Sequence, residues 1–100
     1  MSPNETKAGK FLDERIREKG VYIHLTKDEF KLLESLLQNA GKICSNRFLL
    51  RVLHDGSYIE PSSVDRYVRQ LQQKLEDDPG KPVYIRNADD RGYVLVCREG

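Results

Sequence analysis

Apolar residues recur through the middle of the chain at helical rather than strand spacing. Phe30, Leu33, Leu36, Leu37 and Ala40 fall on one side of a helix that turns about 100° per residue. Just before them, Thr26-Lys27-Asp28-Glu29 matches a capping box, in which Thr26 caps the first turn and Glu29 returns a bond to the cap's backbone. Gly41 fits the left-handed position that ends such a helix. A second helix is expected from a cap at Ser45, with Phe48, Leu49, Val52 and Leu53 as its stripe. The turn-rich stretch 54–61 reads as a loop.

A third helix is expected over residues 62–76, capped by Ser62 or Ser63. Val64, Tyr67, Val68, Leu71 and Leu75 share one side of it, while Ser62, Arg66, Arg69, Gln70 and Gln73 share the other. Asp77-Asp78-Pro79-Gly80 stops the helix. Residues 83–86 and 93–96 then read as the arms of a β-hairpin with its tip at 87–92. Ahead of the first helix, Phe11-Leu12, Arg15-Ile16-Arg17 and Val21 to Leu25, around a Lys19-Gly20 turn, read as short strands after a flexible tail at 1–9. The expected fold is α+β: short N-terminal antiparallel strands, three helices and a C-terminal β-hairpin. It forms one domain over residues 10–97, with a short tail at 98–100.

The length of 100 residues allows one modest core. No run approaches the roughly 20 apolar residues that span a bilayer, and the first residues lack the apolar core of a signal peptide. The chain therefore reads as intracellular and cytoplasmic, with no membrane partner. Cys44 and Cys97 are far apart, with no CxxC pair and no histidine at ligand spacing, so neither a disulfide framework nor a metal site is signalled. His24 and His54 have no nucleophile or carboxylate at catalytic spacing, and Asp55, Glu60 and Asp65 are scattered. Without a Gly-rich phosphate loop there is no signal for a nucleotide or any other cofactor, and an enzyme is not expected.

The net charge of +1 excludes a chain coated in basic residues, but a stripe on one helix can still supply the field that attracts nucleic acid. The third helix carries Arg66, Arg69 and Lys74 against one acid, Asp65, which sits where it complements the helix dipole. Arginine pairs with guanine O6/N7 and glutamine with adenine N6/N7, so the face of Arg66, Arg69, Gln70 and Gln73 is chemically able to read base edges. Ser62 and Ser63 can donate to phosphate beside the free N–H groups of the helix start. The bland reading of the same face is a polar surface turned to water. Two helices at a turn, a third with a polar face and a hairpin directly after it make the layout of a winged helix-turn-helix, with the hairpin as the wing.

Three stretches strengthen that layout. The segment "LTKDEFKLLESLLQNAGKICSNRFLL" resembles the LT-x-x-E-F-x-L-L segment and following helix of OmpR/PhoB-type response regulators. "SSVDRYVRQLQQKLED" resembles their recognition helix, V-D-x-x-I-x-x-L-R-x-K-L, and "YIRNADDRGYVL" resembles their wing, I-x-T-V-R-G-x-G-Y-x-L. The resemblance runs from about Lys10 to Val96. It implies sequence-specific binding of double-stranded DNA as a transcriptional effector domain, with the helix at 62–76 in the major groove and the wing at 83–96 on adjacent backbone or minor groove. It implies that Ser63, Arg66, Tyr67, Arg69 and Gln70 meet DNA, with Ser62 just before them. Gln73, and Arg47 near the start of the second helix, join them as candidate contacts, and Arg86 and Arg91 do so in the wing. The 54–61 loop would face RNA polymerase, and a homodimer would occupy tandem half-sites. Tyr58 and Ile59 in that loop either tuck onto the core or form the docking patch.

The chain departs from the family pattern at Gln72, where an arginine is usual, and at His54, where a tryptophan is common. Asp89 and Asp90 stand where the wing usually carries arginine and glycine. Three readings of the tip follow: Arg91 replaces the missing arginine, the wing touches a protein, or the tip is merely solvated. The competing function is a winged helix kept as a protein-interaction module with little DNA affinity.

Overall fold

Thr26 opens the helix around which the other elements pack. In the computed structural model, which describes residues 6–54 and 60–96, the Glu29 N–H donates to the Thr26 hydroxyl at 3.2 Å and the Thr26 N–H donates to the Glu29 carboxylate at 2.8 Å. The capping box thus forms at the start of one helix, here α2 (Lys27–Gln38). Leu32, Leu33, Leu36 and Leu37 are buried along it, each contributing about 1.5–3 kcal/mol on leaving water. The helix ends at Asn39. Gly41 does take a left-handed φ of +82°, but it lies beyond the cap and its N–H donates to the Leu95 carbonyl. Ala40 is therefore exposed rather than part of the apolar stripe.

The second expected helix follows as α3 (Asn46–Leu53), with the Phe48 N–H donating to the Ser45 hydroxyl at 3.1 Å. Leu49 and Leu53 are fully buried, while Phe48 remains on the surface. The third expected helix is α4 (Ser63–Leu75). Its Val64, Val68, Leu71 and Leu75 are completely buried, and Tyr67 packs half-buried against them. α2 packs on both α3 and α4, so the core lies between the three helices.

The N-terminal strands are not found among the described residues. Lys7–Lys19 forms a helix, α1, so the described residues hold four α-helices rather than three. Its start lies within the span read as a tail. Ala8, Phe11, Leu12, Arg15 and Ile16 repeat at intervals of three and four, the spacing of one helix face. The Thr6 hydroxyl accepts from the Gly9 N–H at 2.9 Å. Gly20, at φ +74°, is the C-cap, not a hairpin turn, and its N–H donates to the Ile16 carbonyl. Arg17 and Lys19 in the last turn complement the helix dipole. Val21 to Leu25 runs on without strand pairing, burying Ile23 and exposing Val21 and Tyr22.

The hairpin forms where expected, with shorter arms: β1 (Ile85–Asn87) pairs antiparallel with β2 (Tyr93–Leu95), Ile85 opposite Leu95 and Asn87 opposite Tyr93. A short 3-10 turn, Asp89–Arg91, makes the tip. Backbone and side-chain bonds hold this wing on the helices. Tyr93 exchanges both backbone hydrogen bonds with Cys44, at 2.7 and 3.0 Å, just ahead of α3. Gly92 makes that approach feasible, because a Cβ there would stand 2.0 Å from the Cys44 carbonyl oxygen. At the exit of α4, the buried Glu76 carboxylate accepts from the N–H groups of Val83, Tyr84 and Ile85 at 2.7–3.2 Å.

Candidate nucleic-acid interface

Burial of four apolar residues on one side of α4 turns its other side outward. Ser62, Asp65, Arg66, Arg69, Gln70 and Gln73 line a single depression there, and all six are exposed. Five of them are residues that the sequence singled out for DNA. Asp65 is the addition.

Ser63 and Tyr67 do not line the depression. Ser63 is half-buried at the first position of α4, and Tyr67 rests against the core. The helix start also differs from expectation in its backbone donors. Ser63 and Val64 donate their N–H groups to the Glu60 and Pro61 carbonyls at 2.8 and 3.2 Å, so these two amides are not free for phosphate. Ser62 adopts helical dihedrals and makes no side-chain cap bond, which leaves its hydroxyl available as a donor.

Asp65 is engaged from the wing. Its Oδ1 accepts the hydrogen bond of the Tyr93 hydroxyl. Burial pushes the Tyr93 phenol up, the bond to Asp65 and the negative charge of that carboxylate push it further, and nearby Arg69 pulls slightly back, leaving it at about 12. The phenol therefore stays a donor at neutral pH, and its bond to Asp65 fastens the wing to the exposed polar face of α4.

Of the other expected contacts, Arg47 is exposed at the start of α3, and Arg86 and Arg91 are exposed on the wing. The Arg86 Nε donates to the Val83 carbonyl at 3.2 Å, which turns its guanidinium back along β1. At the tip, Asp89 has a φ of +56°, and Asp89, Asp90 and Arg91 are all exposed. Tyr58 and Ile59 lie outside the described residues.

The side away from the depression is an anchor of charged groups that sequence spacing alone does not bring together. Arg15 on α1 is almost completely buried. Its Nε donates to the Leu75 carbonyl at 2.9 Å, and its two terminal nitrogens reach the Tyr84 hydroxyl at 3.2 Å and Asp77 at 2.8 Å. The guanidinium also stacks 4.6 Å over the Tyr84 ring. Burial opposes its charge, but the bond to Asp77 and the field of Tyr84 outweigh burial and raise its pKa. Lys19 donates to the Lys74 and Glu76 carbonyls at 3.2 and 2.9 Å. Two cations thus meet the negative end of the α4 dipole. Gln72, where the family pattern has arginine, donates to the Ile85 carbonyl at 2.9 Å and ties α4 to β1.

Among the described residues no group of three His, Cys, Asp or Glu side chains is placed to hold a metal ion, and no helix is long and apolar enough to cross a membrane. The Cys44 thiol is buried, which pushes its pKa up and makes it a poor nucleophile.

Comparison with known proteins returns a consistent set. The family profile described as "Transcriptional regulatory protein, C terminal" matches residues 18–95. The KDP operon transcriptional regulatory protein KdpE of Escherichia coli (strain K12) is 42% identical over 75 residues, covering 74% of this chain and 33% of KdpE. The chain therefore spans about a third of that relative's length. Among solved structures, the response regulator DrrB, a Thermotoga maritima OmpR/PhoB homolog, superposes with a TM-score of 0.72 at 35% identity, over 79% of this chain and 36% of DrrB. The Klebsiella pneumoniae RstA DNA-binding domain, solved in complex with the RstA box, gives 0.65 at 29% identity over 77% of each chain.

Proposed function

The chain belongs to the family of transcriptional regulatory protein C-terminal domains of the OmpR/PhoB type, and on that premise we propose that it binds duplex DNA sequence-specifically through the exposed face of α4. One observation carries the reading: Ser62, Arg66, Arg69, Gln70 and Gln73 are brought together on one exposed surface while Val64, Val68, Leu71 and Leu75 on the opposite face of the same helix are fully buried. A helix of this width enters the major groove. Arg66, Arg69, Gln70 and Gln73 then meet base edges or phosphate, and the Ser62 and Ser63 hydroxyls meet phosphate at the helix start. Tyr67 acts mainly by packing. Arg47 reaches backbone phosphate from α3, and the wing lies along adjacent backbone or minor groove with Arg91 and Arg86 as its cations.

At the level of the whole regulator, we place the domain in the cytoplasm, on tandem half-sites as a homodimer, with the 54–61 loop turned toward RNA polymerase. A response regulator of a two-component system supplies its signal through a further domain. No catalytic role is assigned to any residue. A second reading, the wing tip as a protein contact, is favoured by one observation: Asp89 and Asp90 are exposed at the point that would approach phosphate.

The test of the reading is a binding titration with side-chain truncations. Arg66→Ala and Arg69→Ala, each folded by circular dichroism, should weaken binding to the preferred duplex by about 1–3 kcal/mol if that side chain contacts a base. Unchanged affinity in both variants would remove α4 from the interface.

A further inference from the structure

Asp65 is the acid on a surface otherwise made of cationic, amide and hydroxyl side chains. A carboxylate facing phosphates and base acceptors opposes binding unless its oxygens meet donors. One of its oxygens is held by the Tyr93 hydroxyl, and the second is left with acceptor capacity on the depression. Major-groove edges offer amino donors at cytosine N4 and adenine N6. An aspartate matches the cytosine, whereas adenine, with N7 beside N6, is matched by an amide. Asp65 is the third residue of α4, and in helix-turn-helix proteins it is the N-terminal residues of the recognition helix that contact base edges.

We propose that Asp65 is a specificity-determining residue, accepting a hydrogen bond from the N4 amino group of one cytosine in the operator while Tyr93 of the wing holds its other oxygen. The inference rests on α4 being the helix that reads DNA. Tyr93 fits the role of positioning residue. Its ring is buried, its backbone is fixed to Cys44 on both sides, and its phenol remains protonated, so the carboxylate it holds has little freedom. The wing thereby shapes base readout from within the protein, whatever its acidic tip touches. Arg69 lies one turn along the same face.

Selection of bound sequences from a random duplex library tests this with the wild-type chain, Asp65→Asn, Asp65→Glu and Tyr93→Phe. Asp65→Asn keeps an acceptor for the Tyr93 hydroxyl, so the wing stays tied while the charge is lost and an amide donor appears. The wild type should fix cytosine at one position of its motif. Asp65→Asn should lower that preference about tenfold and raise adenine there, with the rest of the motif retained. Asp65→Glu should retain cytosine, and Tyr93→Phe should relax the same position alone. Recovery of the wild-type motif by Asp65→Asn would overturn the proposal and leave Asp65 as an internal tie only. Absence of any motif with the wild-type chain would overturn the reading of α4 itself, and the proposal with it.

Discussion

Glu29 is 1% exposed, and its carboxylate stays ionised through three contacts. Burial alone would push its pKa up, but Lys74 at 2.6 Å and the Thr26 backbone and hydroxyl outweigh burial and hold it below the usual carboxylate range. A depressed folded-state value stabilises the fold above the ordinary carboxylate pKa, and that contribution is lost as pH falls through the depressed value. Glu29→Gln should therefore lower the urea midpoint at pH 7 and cost progressively less as the pH is brought below 4. An equal loss at both ends of the pH range would show that the charge contributes nothing. The Thr26–Glu29 pair was legible in the sequence because a capping box is local. Lys74, whose partner lies 45 positions away, was not, since periodicity carries no information about which helices meet. The same limit explains Asp65, which was read as serving the helix dipole because its partner Tyr93 comes from the wing.

At the scale of elements, α2, α3, α4 and the hairpin were legible, because each joins a clear period to local stop and start residues. α1 was not. Its pattern begins at Ala8, inside residues read as a tail, and its fourth face position is Arg15, a cation buried by partners contributed from the end of α4 and from Tyr84 just ahead of β1. Lys19-Gly20 serves equally as a turn signal or a helix C-cap, and without the Ala8 to Ile16 face the turn reading wins. The family match begins at residue 18, so the pattern shared with relatives gives no guidance over most of this helix. Its attachment to α4 gives a prediction. Arg15→Met removes buried bonds to the Leu75 carbonyl and the Tyr84 hydroxyl, and should destabilise the domain by about 2–4 kcal/mol. The bonds to Glu18 and Asp77 also hold the guanidinium, but both carboxylates are well exposed and solvent screens their contribution. Urea denaturation at pH 7 measures the loss, and a change within about 0.5 kcal/mol would mean that α1 is not fastened through this residue.

On the whole molecule, charge and shape divide the labour. The protein is nearly neutral, so a general basic coat does not explain DNA binding, and the proposal assigns the attraction to a few cations on α4, α3 and the wing. That division was partly legible: the Arg and Gln face follows from helical spacing, while the fastening of wing to α4 by Tyr93, Glu76 and Gln72 appears only once the chain is folded. Such fastening predicts that α4 and the hairpin act as one rigid reading unit. The most direct test of the central claim is selection of the wild-type domain against a random duplex library at two salt concentrations. A short enriched motif should appear at both. Affinity for it should fall with salt at a log–log slope near −0.9 for each phosphate neutralised, while discrimination between motif and scrambled duplex persists. Weak binding to every sequence, vanishing together as salt rises, would contradict sequence-specific reading by α4.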